Sequence, residues 1–178
     1  MTSFEDPRVI RVAEFYSGIG GWRCGATRAA FDLYGAAARV EVALAVDVST
    51  TCNATYAHNF GDAPVQRPIE DLDPSRLEGL DGWLLSPPCQ PYTRQGLQRD
   101  NADGRAESFL VIIERLREMR SPPTHLLVEN VVGFERSETH VELLESLASL
   151  RCHLVRTLTG APKPLLILDA HNLSLIHI

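Results

Sequence analysis

Apolar residues gather in short runs along this chain, and the polar residues between the runs decide how each one ends. Residues 9–15 read as a buried strand stopped by Tyr16-Ser17-Gly18-Ile19-Gly20-Gly21, a stretch too glycine-rich to extend it. A helix is expected over 21–34. The next β-branched run, 40–46, closes on Asp47, and Ser49 or Thr50 is placed to cap a helix reaching about residue 59. The Pro- and Asp-rich stretch 61–74 has room for a short strand at 65–69. Residues 82–85 form another apolar strand, halted by Ser86-Pro87-Pro88. A polar, glycine-punctuated loop is expected over 90–105, then a helix over 106–119 with Phe109, Ile112, Ile113 and Leu116 on one face, opposite Arg115 and Glu118. Pro122-Pro123 ends it. Residues 125–129 read as a further buried strand, and 137–150 as a helix with Val141, Leu144 and Leu147 inward. Strands alternating with helices predict an α/β domain: a mostly parallel sheet with helices on both faces. The chain shows neither an internal repeat nor a low-complexity tract.

Composition narrows this picture without redirecting it. With 178 residues, 44% hydrophobic and 22% charged, the chain has the make-up of one globular domain, which excludes collagen-like, disulfide-scaffold and disordered classes. The net charge of −6 means that the mean field does not draw the molecule to phosphate backbones, so any nucleic-acid contact must use a local patch. All cations but Lys163 are arginines, which GC-rich coding explains as readily as phosphate recognition does. The first residues lack a secretory pattern, and no 18 apolar residues follow one another, so a cytoplasmic or nuclear protein without a membrane segment is expected. Cys24, Cys52, Cys89 and Cys152 are scattered, with neither a C-x-x-C pair nor a His partner at metal-ligand spacing. Free thiols and no metal are expected.

The candidate chemistry lies at strand ends, where ligands bind in sheets of this kind. Ser17 to Gly21 lets the backbone approach a ligand closely, and the following helix offers its free amides. Arg23 stands where a dinucleotide fingerprint requires its third glycine, so a ligand without pyrophosphate fits better. Asp47, 29 residues after Gly18, is placed either to accept ribose hydroxyls or to cap a helix. Ile69 and Glu70 offer an apolar wall and an acceptor for an adenine, or a plain loop acid. Ser86-Pro87-Pro88-Cys89-Gln90-Pro91 is a stiff turn, because each proline fixes φ and removes an N–H. A thiolate mounted there has a defined attack geometry; the alternative is a small apolar residue in a tight turn. Glu129-Asn130-Val131 puts a carboxyl at another strand end, suited to general-acid work on a ring nitrogen or to pairing with an Arg.

Taken in order, Phe15-Tyr-Ser-Gly-Ile-Gly-Gly21, Asp47, Ile69-Glu70, Pro87-Pro-Cys-Gln90 and Glu129-Asn-Val131 resemble the cytosine carbon-5 methyltransferases. The longer stretch from Ser86 through Gly96, with Asn130-Val-Val-Gly-Phe134, Thr55-Tyr56 and Asn59-Phe60, looks most like the eukaryotic branch that modifies aspartate tRNA. The resemblance implies a Rossmann-like domain dependent on S-adenosyl-L-methionine. Ser17, Gly18, Ile19, Gly20 and Gly21 would hold the methionine part of that cofactor, Asp47 its ribose, Ile69 and Glu70 its adenine, and Ser86 the edge nearest the nucleophile. Cys89 would attack carbon 6 of cytosine while Glu129 serves ring nitrogen 3, and carbon 5 would take the methyl group. Gln90, Arg94 and Asn130 would contact the substrate. Arg94, Arg99 and Arg105 outnumber Asp100 and Asp103 by one positive charge, enough to help seat a phosphate, though a solvated loop has the same composition. A nucleic-acid partner follows, tRNA ahead of DNA because a loop base leaves its stack more cheaply. A monomer is expected.

The resemblance runs over about 8–158. Family members continue with a Gln/Asn-x-Arg-x-Arg signature, a target-recognition region and a returning C-terminal helix, none of which is present in this sequence. The fold is therefore expected to be incomplete at its C-terminus, with 159–172 unassigned. Leu173-Ser-Leu-Ile-His-Ile178 can be written CTGTCTCTTATACACATC, a transposase end used as a sequencing adaptor, so 173–178 is expected to be a non-native tail. Turnover by this 178-residue chain is expected to be weak or absent. Rival readings are a DNA cytosine-5 methyltransferase, an adenine amino-group methyltransferase, which Cys89 after Pro88 disfavours, and a non-catalytic nucleotide-binding module.

Overall fold

The computed structural model describes residues 6–89, 104–149, 153–157 and 165–169. The chain runs β1 (Arg8–Phe15), α1 (Gly21–Tyr34), β2 (Ala38–Val46), α2 (Thr50–Phe60), β3 (Gly82–Leu85), α3 (Gly104–Glu118), β4 (His125–Glu129), α4 (Glu138–Ser149), β5 (His153–Thr157) and β6 (Leu165–Asp169). One sheet takes all six strands in the order β2-β1-β3-β4-β6-β5. β2, β1, β3 and β4 are parallel, with Phe15 opposite Val46 and Leu85, and Leu85 opposite Val128. β6 runs antiparallel to β4 and to β5, so the 165–169 stretch, which the sequence left unassigned, pairs with both.

Both faces of the parallel strands are covered, as their near-continuous apolar runs require. One face of β1 and β3, with Ala13, Phe15, Trp83 and Leu85, packs into a core with Phe109, Ile112, Ile113 and Leu116 of α3 and Leu143 and Leu147 of α4. Phe15 and Trp83 meet edge to face at 5.3 Å. Burying side chains of this size stabilises the fold by about 1.5–3 kcal/mol each. On the other face, Glu14 of β1 meets Tyr56 of α2. The helix boundaries have local causes: Ser49 Oγ accepts the Cys52 N–H at 3.3 Å, and α2 ends at Gly61 in the left-handed region.

Two expectations need correction. The strand at 65–69 is absent: Val65 makes a single parallel bridge to Val46, and Ile69–Asp71 is a 3-10 turn. Pro64 just before the segment and Pro68 within it have no N–H groups to donate, so no ladder can propagate. The buried face of α4 is rotated as well. Leu143 and Leu147 are inside with Thr139, His140 and Ser146, whereas Val141 is 53% exposed. The polar members can turn inward because they find partners; the Ser146 hydroxyl donates to the Ile113 carbonyl at 3.4 Å. Leu143→Ala is therefore expected to cost about 2–5 kcal/mol, and Val141→Ala about 0.5 kcal/mol or less. Urea denaturation of the two variants checks this, and equal losses would reinstate the Val141 face.

Candidate active site

The carboxyl ends of the four parallel strands collect the candidate residues along one edge. At the end of β1, Tyr16 takes φ 54°, Gly18 φ 53° and Gly20 φ 93°, and the Gly20 N–H donates to the Ser17 carbonyl at 2.9 Å. Gly20 is required for space as well as for its φ, because a Cβ there would enter the Phe60 ring. Ser17 is buried, and its Oγ has no hydrogen-bond partner among the described residues. Ile19 and Gly21 face solvent.

Asp47 braces this turn. One carboxylate oxygen accepts the Gly18 N–H at 2.8 Å and the other accepts the Ser49 N–H at 2.8 Å. The helix cap belongs to Ser49, so Asp47 instead ties the glycine turn to the start of α2. Each of its oxygens keeps a second lone pair for a ligand hydroxyl. Ile69 is turned into the core and Glu70 is exposed, on a 3-10 turn rather than at the end of a strand.

Beyond β3, Ser86 and Cys89 are partly buried and Pro87 is buried. Glu129 is the last residue of β4, one beyond the Val128–Leu85 pair, so it and the Cys89 turn leave adjacent strands at the same sheet end. Asn130, itself buried, fastens the two: its Nδ2 donates to the Pro87 carbonyl at 3.3 Å. Gln90, Arg94 and Arg99 lie outside the described residues, as does the expected loop up to residue 103. Among the described residues no three His, Cys, Asp or Glu side chains gather as a metal site, and no helix is long and apolar enough to cross a membrane.

Three contacts at this edge were not anticipated. Trp22 Nε1 donates to Ser86 Oγ at 2.8 Å. The Tyr16 and Ser108 hydroxyls lie 2.9 Å apart, joining the glycine turn to the first half of α3. Glu14, wholly buried in β1, accepts the Tyr56 hydroxyl at 2.9 Å and the Arg23 amide at 3.1 Å. The Arg23 guanidinium caps this group, 4.4 Å over the Phe60 ring and 2.8 Å from Asp62. A carboxyl among the apolar residues at the end of β1, between Ala13 and Phe15, was the available signal for Glu14. For Trp22 and Tyr16 the sequence carried none, since each partner is far away along the chain.

Residues 10–154 match the family of C-5 cytosine-specific DNA methylases. The chain belongs to that family. It is 39% identical over 146 residues to a Dictyostelium discoideum DNA (cytosine-5)-methyltransferase, covering 79% of this chain and 37% of that one. A Rattus norvegicus tRNA (cytosine(38)-C(5))-methyltransferase is 39% identical over 141 residues, covering 78% of this chain and 34% of its own. Among solved structures, the S. pombe Dnmt2 methyltransferase superposes with a TM-score of 0.75 at 25% identity, over 95% of this chain and 52% of that one. This methylase-family chain thus spans little more than a third of the length of those two curated relatives. The α/β fold read from the sequence is the Rossmann-like methyltransferase fold of these neighbours.

Burial pushes the Glu14 carboxyl up from its ordinary value, and the Tyr56 hydroxyl and Arg23 amide only partly offset it. The folded state therefore holds the Glu14 proton more tightly than the unfolded chain does. Stability from this group is present at low pH and lost as pH rises through the folded-state pKa. Glu14→Gln keeps both contacts, its carbonyl accepting from Arg23 and its amide donating to the Tyr56 oxygen. Urea midpoints at pH 5 and pH 8 are expected to fall less with rising pH in Glu14→Gln than in the parent chain; identical slopes would remove Glu14 as the cause.

Proposed function

We propose that this sheet edge is the cofactor-binding and nucleophile-bearing half of an S-adenosyl-L-methionine-dependent methyltransferase acting on carbon 5 of cytosine in nucleic acid. The observation that carries the reading is the junction of β3 and β4. A proline-stiffened cysteine turn and a carboxylate leave neighbouring parallel strands at the same end, tied by the Asn130–Pro87 hydrogen bond. In support, the glycine turn beside it has a buried Ser17 hydroxyl without a hydrogen-bond partner among the described residues and an Asp47 carboxylate with spare acceptor capacity. Both suit the polar amino-acid and ribose parts of the cofactor, and the space beside the Gly18 Cα is open, with no atom nearer than the Tyr16 carbonyl oxygen at 4.0 Å. When bound, S-adenosyl-L-methionine supplies an electrophilic methyl group on a sulfonium.

The residues of this chain supply the rest. The Cys89 thiolate bonds to carbon 6 of the cytosine, and Glu129 hydrogen-bonds or protonates ring nitrogen 3, so that electron density returns to carbon 5. Carbon 5 would take the methyl group that the bound cofactor supplies and would then lose its proton to water, while nitrogen 3 returns to Glu129 any proton it took. The pair of electrons released re-forms the 5,6 double bond and expels Cys89 as thiolate. Ser17, Gly18, Ile19, Gly20, Gly21 and Asp47 hold the cofactor, with Ile69, Glu70 and Ser86 along its edge. Gln90 and Arg94, which lie outside the described residues, and Asn130 are assigned to substrate contact.

A tRNA loop is the favoured substrate, since a loop base leaves its stack at less than the few kcal/mol that a duplex base costs. The rat relative is named for that reaction. The Dictyostelium relative, equally similar, is named for DNA and keeps that substrate as the second reading. Equilibrium dialysis is expected to show S-adenosyl-L-methionine binding to this chain, weakened by Asp47→Ala. In a protein carrying the full length of the relatives, tritium transfer from labelled cofactor to tRNA is expected, and its loss in Cys89→Ala. Cofactor binding with no transfer in that longer protein would instead establish a non-catalytic nucleotide-binding module.

A further inference from the structure

The strand order β2-β1-β3 reverses at β1, so the crevice between the segments leaving β1 and β3 is the topological switch point of the sheet. Among the described residues, a side-chain hydrogen bond spans it. Trp22, the second residue of α1, donates its indole N–H at 2.8 Å to the hydroxyl of Ser86, the first residue after β3. Ser86 is followed by Pro87 and Pro88, which have no amide hydrogens, so the turn leading to Cys89 cannot be held by amides of its own. It depends on outside anchors. Asn130 takes the Pro87 carbonyl from the β4 side, and the indole takes Ser86 from the α1 side. The main-chain tie from the Ser86 N–H to the Phe15 carbonyl is long, at 3.5 Å, and leaves the side-chain contact as the closer restraint.

We propose that Trp22 is a positioning residue for Cys89: through Ser86 it fixes the proline turn from across the switch crevice and couples the glycine-turn side of the site to the nucleophile. The inference rests on the reading of Cys89 as nucleophile. It is particular to tryptophan at this position, because an indole N–H is a donor that phenylalanine or methionine lacks.

Site-resolved alkylation of the thiols by iodoacetamide, followed by mass spectrometry on the 178-residue chain, tests it without cofactor or nucleic acid. Releasing the anchor frees a partly buried thiol. Trp22→Phe is expected to raise the Cys89 rate about fivefold, the factor set by loss of one ordinary hydrogen bond. Cys24, exposed on the same helix, and Cys52 on α2 keep their rates. Ser86→Ala reproduces the effect, the double variant adds nothing to it, and Ser86→Thr, which keeps a hydroxyl, retains the parent rate. An unchanged Cys89 rate in Trp22→Phe overturns the proposal, as does a common acceleration of Cys24, Cys52 and Cys89. If Trp22→Phe does not fold, the serine pair decides alone: equal rates in Ser86→Ala and Ser86→Thr overturn it. Persistence of methyl transfer in Cys89→Ala would defeat the functional reading while leaving the alkylation result intact, so the two failures are distinguishable.

Discussion

Parallel pairing of β2, β1, β3 and β4 is the constraint from which the rest of the site follows. A sheet covered on both faces leaves its interior to apolar side chains, and polar chemistry is pushed to where the strands end. Because the strands run the same way, their carboxyl ends open on one edge. Val46, Phe15, Leu85 and Val128 lie side by side in that order there, and the glycine turn, Asp47, Ser86, Cys89 and Glu129 each follow one of them within a few residues. Segments separated by dozens of residues are thereby brought within hydrogen-bonding reach.

That edge is stiffened by contacts that cross from one strand end to the next. Asp47 joins the turn after β1 to the start of α2, Trp22 joins α1 to the segment after β3, and Asn130 joins that segment to the end of β4. Each uses a side chain to satisfy or restrain backbone that regular structure cannot reach, either because it is left-handed, as at Gly18, or because proline has removed its donors. Glu14, wholly buried within β1, departs from the rule of an apolar interior. Its burial is tolerable because the Tyr56 hydroxyl and the Arg23 amide both donate to it, and the result locks the first turn of α1 against α2.

Residue patterning was most informative where a local signal was unambiguous. The strands at β1, β3 and β4 and the helix α1 fall within a residue or so of where the apolar runs and their glycine and proline stops put them. The apolar face of α3 is likewise the one expected. The misreadings have separate causes. At 65–69 the β-branched pattern was outweighed by prolines that cannot donate to a ladder. On α4 the apolar residues were counted and the polar ones discounted, although Thr139, His140 and Ser146 go inside once neighbouring elements offer them partners. The 165–169 stretch carried no recognisable motif, and its place beside β4 is a long-range pairing with no local signature.

The chain by itself determined the candidate residues and their order: the glycine turn, Asp47, the proline-bound Cys89 and Glu129 are local patterns, and local patterns are set by φ preferences and missing donors. Tertiary structure alone decided which of them meet. It gave Asp47 to the Gly18 amide and the cap to Ser49, set Ser86 under Trp22, and hid Glu14 behind Tyr56. The physical reason is that a hydrogen bond between residues 64 apart, as between Trp22 and Ser86, depends on how strands are ordered in the sheet, and no run of neighbouring side chains encodes that order.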